Sequence, residues 1–170
     1  MVARVNTVAF QGIEVLDVDV QVQTTSGLPA FTIVGLPDKA VAESRERVRG
    51  ALHAMGLALP SKRITVNLAP ADLTKEGSHF DLPIALGLLA ATDVLPPDEI
   101  GVFTTLGELA LDVGLSRVAG VLPASLHAGA RGTGLICPVS PHRNSVAEGK
   151  GLELAARTLI KQTTHLLSPY

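Results

Sequence analysis

The sequence predicts an α+β domain of mixed α/β character, and three observations carry that prediction. Val2–Phe10, Ile13–Thr24 and Ile64–Leu68 are strand-like runs, and in the second and third apolar and polar residues alternate with period 2. The stretch from about Pro37 to Met55 instead repeats Val41, Val48, Leu52 and Met55 at helical spacing. The run Ile84–Ala91 is apolar nearly all round, which suits a helix at the centre of a domain rather than on its surface. Read along the chain, the order βββ-α-β-α-ββ-α-β-α places helices over one sheet in the second half.

The first two strands turn about Gln11-Gly12 as a hairpin. Ser26-Gly27-Leu28-Pro29 is a turn, and Ala30–Val34 is a third strand. Gly35-Leu36-Pro37-Asp38 breaks that strand and opens the helix, with a proline and an acid at its N-terminal end. Gly56 is a C-terminal cap. Pro70 ends the strand that starts at Ile64, because proline cannot donate to a ladder. Ala71–Phe80 is loop, Asp81 stands where a helix N-cap belongs, and Pro83 falls in the first turn, where a missing N–H costs little. Leu95-Pro96-Pro97-Asp98 reads as a surface turn. Phe103–Leu111 and Leu115–Val118 read as strands about Asp112-Val113-Gly114. A helix from about Pro123 to Ala130, a glycine turn and a strand at Leu135–Pro138 follow. Ser140–Gly151 reads as loop with a short helix, and Leu152–Leu167 as strand, loop and helix.

One domain is the natural reading of 170 residues, long enough for a real core. Aromatics are only 3%, so that core must be built from Val, Leu, Ile and Ala. A net charge of −2 excludes polyanion binding by bulk charge. The single cysteine, Cys137, excludes an intrachain disulfide and fits a reducing cytoplasm; its flanks Ile136 and Pro138 suggest a buried strand thiol. No stretch approaches the roughly 20 apolar residues of a membrane helix, and the first residues lack the pattern of a signal peptide. The expected location is cytoplasmic.

Two groups of residues invite a functional reading. The loop carrying Asp72, Lys75, Glu76, Ser78, His79 and Asp81 is either a solvated loop ending in an Asp cap or a nucleophilic site. In the second reading Lys75 takes the proton of Ser78, which requires a desolvated lysine beside the hydroxyl; a lysine flanked by Glu76 in an open loop is expected to stay charged and wet. The basic residues Lys39, Arg45, Arg47, Arg49, Lys62 and Arg63 outnumber the acids of the same stretch six to three, a surface that suits a nucleic-acid backbone or a partner protein. The plain alternative is a solvated helix face laced with Glu–Arg pairs, and no aromatic stands among these residues to stack on bases. His53, His79, His127, His142 and His165 are scattered without metal-ligand spacing, so no metal site is expected; His79 with Asp72, Glu76 and Asp81 is the one weak candidate for a hard cation. There is no G-x-x-x-x-G-K-[ST] loop and hence no ATP site, and no G-x-S-x-G.

The stretch Asn67-Leu-Ala-Pro-Ala-Asp-Leu-Thr-Lys-Glu-Gly-Ser-His-Phe-Asp-Leu-Pro-Ile-Ala-Leu86 resembles the signature of the ComM/YifB family, the magnesium chelatase-like AAA+ ATPases. The resemblance extends back through Phe31-Thr-Ile-Val-Gly-Leu-Pro-Asp-Lys-Ala-Val-Ala-Glu-Ser-Arg-Glu-Arg-Val-Arg49. It extends forward through Leu106-Gly-Glu-Leu-Ala-Leu-Asp112 and Gly120-Val-Leu-Pro-Ala124. It covers nearly the whole chain and corresponds to that family's N-terminal domain. It implies a fold like ribosomal protein S5 domain 2, shared with the proteolytic domain of Lon. In Lon-like domains the nucleophilic serine opens the helix that starts here at Asp81, and the lysine of the dyad aligns with Leu122. Neither catalytic residue is present, so the resemblance implies a segment without catalysis, cofactor or metal of its own. It further implies an AAA+ module after residue 170, in the same polypeptide, that binds ATP and Mg²⁺. The expected parent is a hexameric, DNA-binding ATPase acting on branched DNA in recombination and natural transformation (competence), with this domain positioning DNA or organising the ring. A Lon-like serine peptidase using Ser78 and Lys75, and a purely structural oligomerisation domain, are the alternatives.

Overall fold

A computed structural model describes residues 1–138 of the chain. The first hairpin forms as the alternation predicts. Strand β1 (Val2–Gln11) pairs antiparallel with β2 (Glu14–Thr25), with Val5 opposite Val20 and Ala3 opposite Val22. Gly12, at φ 61°, supplies the left-handed residue of the turn. Strand β3 (Ala30–Val34) lies parallel to β4 (Arg63–Ala69), which runs antiparallel to β2. Strands β5 (Phe103–Thr105) and β8 (Gly134–Ile136) extend the other side, giving a six-stranded mixed sheet in the order β3-β4-β2-β1-β5-β8.

Two helices cover the inner face of this sheet. Helix α1 (Asp38–Ala54) buries Ser44, Val48, Ala51 and Leu52 and ends in a Schellman motif: Gly56, at φ 77°, donates to His53, and the Leu57 N–H donates to the Leu52 carbonyl at 2.9 Å. Helix α2 (Asp81–Ala91) is buried at every position from Asp81 to Ala90, as its all-round apolar sequence demands. It lies so close to the hairpin that a Cβ on Gly87 would sit 2.6 Å from Val22 Cγ2. Helix α4 (Val121–Arg131) packs on the outer face. It closes a second small core of Val8, Leu106 and Ala124, and His127 and Arg131 tie it to Asp17 at 2.8 and 2.5 Å.

Several expectations need correction. Asp81 is not the N-cap of α2: Phe80 holds that position, and Asp81 is the first helical residue with its carboxylate directed away from its own helix. Leu95 is buried rather than on the surface, and the turn after it winds into the short helix α3 (Pro97–Ile100). Phe103–Leu111 is not one strand. It leaves the large sheet after β5 and continues as β6 (Glu108–Leu109), which pairs with β7 (Leu115–Ser116) in a separate two-stranded sheet. The switch falls at Gly107, whose N–H donates to the His79 carbonyl and whose carbonyl accepts from the Leu82 N–H. A Cβ there would lie 3.1 Å from Leu115 and 3.4 Å from Leu82, so glycine permits the approach. The elements expected over Ser140–Leu167, with His142 and His165, lie outside the described residues. Among the described residues no helix is long and apolar enough to cross a membrane.

Candidate functional site: the cleft at the start of helix α2

The loop from Pro70 to Phe80 and the first half of α1 enclose an open cleft of about 400 Å³. Leu36, Pro37, Ala40 and Phe80 form its apolar walls, Ser44, Arg47 and Asp81 its floor, and Lys39, Glu43, Glu76 and Ser78 stand around it. This size and mixture are those of a small ligand or peptide site.

Asp81 organises the floor. Its carboxylate is fully buried and accepts four hydrogen bonds: Ser44 Oγ at 2.7 Å, Arg47 Nε at 2.5 Å, Arg47 Nη2 at 3.2 Å and the Leu109 N–H at 3.1 Å. Burial holds the carboxyl above its ordinary value, and the guanidinium, the hydroxyl and the backbone N–H oppose that rise. The hydrogen bond to Asp81 raises Arg47 above its ordinary value, against the cost of its own burial. A bidentate guanidinium and two further donors are what a buried aspartate needs to stay ionised. The pair therefore joins three elements, α1 through Ser44 and Arg47, α2 through Asp81, and β6 through Leu109.

The backbone at this helix start is occupied as well. The Asp81 N–H donates to Ser78 at 3.4 Å, the Leu82 N–H to Gly107 at 3.0 Å and the Ile84 N–H to Phe80 at 3.1 Å, while Pro83 has no N–H. A helix N-terminus ordinarily offers free donors to an anion; here each is already spent.

The remaining loop residues do not converge. Lys75, expected to be wet, is buried at 2% exposure, because its Nζ folds back onto the carbonyls of Pro70 and Leu73 and satisfies the ammonium locally. Burial lowers its pKa and Asp72 opposes that. Ser78 Oγ donates to Glu108 on β6, and no hydrogen bond joins Ser78 to Lys75. His79 is also buried. It donates from Nε2 to the Val8 carbonyl at 2.7 Å and lies between Phe10 and Phe80, with ring centroids at 5.4 and 4.1 Å. Burial holds it below its ordinary pKa, so it is neutral at pH 7. Asp72 and Glu76 are exposed. His79 and Asp81 thus have partners of their own, and the residues considered for a cation form no metal-holding group; none of three or more candidate ligands exists among the described residues. Leu122, in the first turn of α4, is 71% exposed and does not line the cleft.

The basic group also divides. Arg47 belongs to the buried pair and is withdrawn from the surface on which the sequence placed it. Arg45 is half-buried and donates to the Phe31 carbonyl at 3.2 Å. Lys39 pairs with Glu43 at 3.8 Å and Arg49 with Glu46 at 3.4 Å, both on the solvent side of α1. Lys62 and Arg63 are exposed and have no ion pair among the described residues.

A profile of the family described as subunit ChlI of Mg-chelatase matches residues 20–141, a span that holds β3, β4, the cleft and the Asp81 network. The chain belongs to the Mg-chelatase subunit ChlI family. Within it, the chain is similar to the competence protein ComM of Haemophilus influenzae, 51% identical over 120 residues, which are 71% of this chain and 24% of that protein. It is also similar to the uncharacterized protein YifB of Escherichia coli, 44% identical over 124 residues (73% and 24%), and to YifB of Salmonella typhimurium, 42% identical over 134 residues (79% and 26%). This ChlI-family chain thus spans about a quarter of the length of the curated relatives it matches. Its kinship with ComM and YifB bears out the family resemblance read from Asn67–Leu86.

Ser44 and Leu109, which help to build the network around Asp81, and Glu108, which takes Ser78, carry no functional reading in the sequence. Ser44 had a signal: it fills the gap between Val41 and Val48 in the apolar stripe of α1, and a hydroxyl in a buried stripe requires a partner. Glu108 and the Leu109 N–H reach the site only through the turn at Gly107, which has no local sequence signature.

Proposed function

We propose that this chain is a non-catalytic accessory domain of a longer ComM-like AAA+ ATPase acting on branched DNA in recombination and natural transformation. The reading places it in the cytoplasm, in a hexamer, with ATP and Mg²⁺ bound by a module of the same polypeptide outside this chain. One observation carries the non-catalytic part. At the position where the Lon-like resemblance puts a nucleophile, Asp81 is saturated by Arg47, Ser44 and the Leu109 N–H. The neighbouring Ser78 and Lys75 each have a different partner. The contribution of the domain is then positional. Because the charges of Lys39, Arg47 and Arg49 are compensated, the geometry favours organising neighbouring protein over gripping phosphates, and leaves Lys62 and Arg63 as the corner where DNA would touch.

The test uses the full polypeptide encoded by the gene. The reading expects a Walker A loop beyond Tyr170, ATP hydrolysis by the whole protein, and no labelling of Ser78 by a serine-reactive probe. Changing Lys62 and Arg63 to Glu should reduce salt-sensitive DNA binding by no more than the roughly two phosphate contacts they can make. Labelling of Ser78 that is lost in Lys75→Ala would replace this reading with the peptidase one.

A further inference from the structure

Away from α4, the outer face of the large sheet carries no described element. Val34, Asn67, Gln21 and Arg4 stand side by side across β3, β4, β2 and β1, and Thr32, Thr65 and Gln23 form the next row. These residues alternate with the buried ones beneath α1 and α2, so they point to the outer side. There α4 covers only the end of the sheet around Val8. Every residue in the two rows is exposed or half-exposed.

Chemically this face is unlike the charged surface of α1. It is built of amides, hydroxyls, Val2 and Val34 with the charges of Arg4, Asp19 and Arg63 among them, and some of its polar groups are joined to one another. Asn67 Nδ2 donates to Gln21 Oε1 at 3.1 Å, Gln21 Nε2 donates to Asp19 at 2.8 Å, and Asp19 also takes Arg4. Asp19 has its own arginine and Asp17, at the end under α4, has Arg131, which leaves Arg63 as the only charge on this face without an ion pair among the described residues. With Arg4 and Asp19 compensating each other, the face carries little net charge and stays polar, as interfaces between domains of one chain do. Nucleic acid is disfavoured across the two rows, because the one unpaired cation, Arg63, stands at their edge and no aromatic is there to stack with bases.

We infer that this outer face is a protein-docking surface and that its occupant is the remaining part of the same, longer polypeptide. The inference rests on the proposed reading that the chain is one domain of such a protein. Size decides between occupants. Four strands about 4.8 Å apart, open over about 20 Å of their length, present about 400 Å². A stable free-standing dimer needs about 800 Å² from each partner. An interface between domains of one chain buries about 600–1,500 Å² in all and is more polar, which this face satisfies.

The test is cysteine labelling of the full-length protein carrying Thr65→Cys or Gln23→Cys on the outer face, with Glu46→Cys on the solvent side of α1 as reference. Labelling by a maleimide is read site by site and normalised to the unfolded chain. Thr65→Cys and Gln23→Cys should each label about tenfold or more slowly than Glu46→Cys, as expected of sites that react only on local opening, with no change on dilution or on adding DNA. Equal rates at the three sites overturn the inference. Protection that disappears on dilution points to a second copy, and protection that appears only with DNA points to nucleic acid; either result also overturns it. A gene that encodes no further domain would overturn the parent reading as well, whereas a longer protein with unprotected cysteines overturns this inference alone.

Discussion

Arg47 and Arg49 lie two residues apart on one helix and are indistinguishable by charge or local composition, yet the fold gives them different work. Arg47 faces inward, with 23% of its side chain exposed, and meets a buried carboxylate 34 residues away in sequence. Arg49 faces outward, half exposed, and pairs with Glu46 one turn back. Water is the difference. An exposed pair gains little, because solvent and salt screen both charges. A buried charge is tolerable only while its partners stay in place, so removing one partner costs far more than the pair contributed. The first arginine is thus part of the architecture and the second is available to the surface.

The largest expected effect breaks the inner member of this comparison. Arg47→Ala leaves Asp81 buried with Ser44 and one backbone donor, and should cost about 3–5 kcal/mol in chemical denaturation. A smaller loss sharpens it. Gly87→Ala, on the uncharged side of α2 that packs on the β1–β2 hairpin, drives a methyl to 2.6 Å from Val22 and should cost about 1–3 kcal/mol by overpacking alone. A similar loss for Arg47→Ala would mean that Asp81 is not strongly dependent on its partner.

The buried loop also contributes a pH dependence. Folded His79 titrates below its ordinary value of 6.5, because burial disfavours the charged ring. Below that pH the unfolded chain takes up a proton that the native state resists. The contribution of His79 is therefore intact above pH 6.5 and is lost as the pH falls toward the folded value. Between pH 7 and 5 the melting temperature of the natural chain should fall more steeply than that of His79→Phe, which keeps the aromatic stack and removes the titration. The smallest effect belongs to the outer pair. Arg49→Ala should change stability by less than about 1 kcal/mol, and that change should shrink further in high salt.

Much of the fold is legible in the sequence because periodicity is a local signal. The alternation of Val18, Val20 and Val22 fixes which face of β2 is buried, and the unbroken apolar run of α2 fixes its central place. The candidate site is only half legible. Its loop is visible as a cluster of ionisable residues, but which of them meet depends on contacts between distant elements. Asp81 looks like a helix cap, since an acid before an apolar helix usually is one; instead Arg47 and Ser44, brought alongside by the packing of α1 on α2, take the carboxylate. Lys75 looks solvated until its stem folds back onto the carbonyls of Pro70 and Leu73. The break at Gly107 could not be read from β-propensity either, because it is set by hydrogen bonds to His79 and Leu82 that only the folded chain provides.

The most direct test of the account is a double-mutant cycle between Arg47 and Asp81, using Arg47→Met, Asp81→Asn and the double variant, followed by denaturant unfolding. The account predicts a coupling of about 2 kcal/mol or more, with the double variant losing less than the sum of the two single ones. Additivity within about 0.5 kcal/mol would contradict it, and would return Asp81 to the list of groups free to act in the cleft.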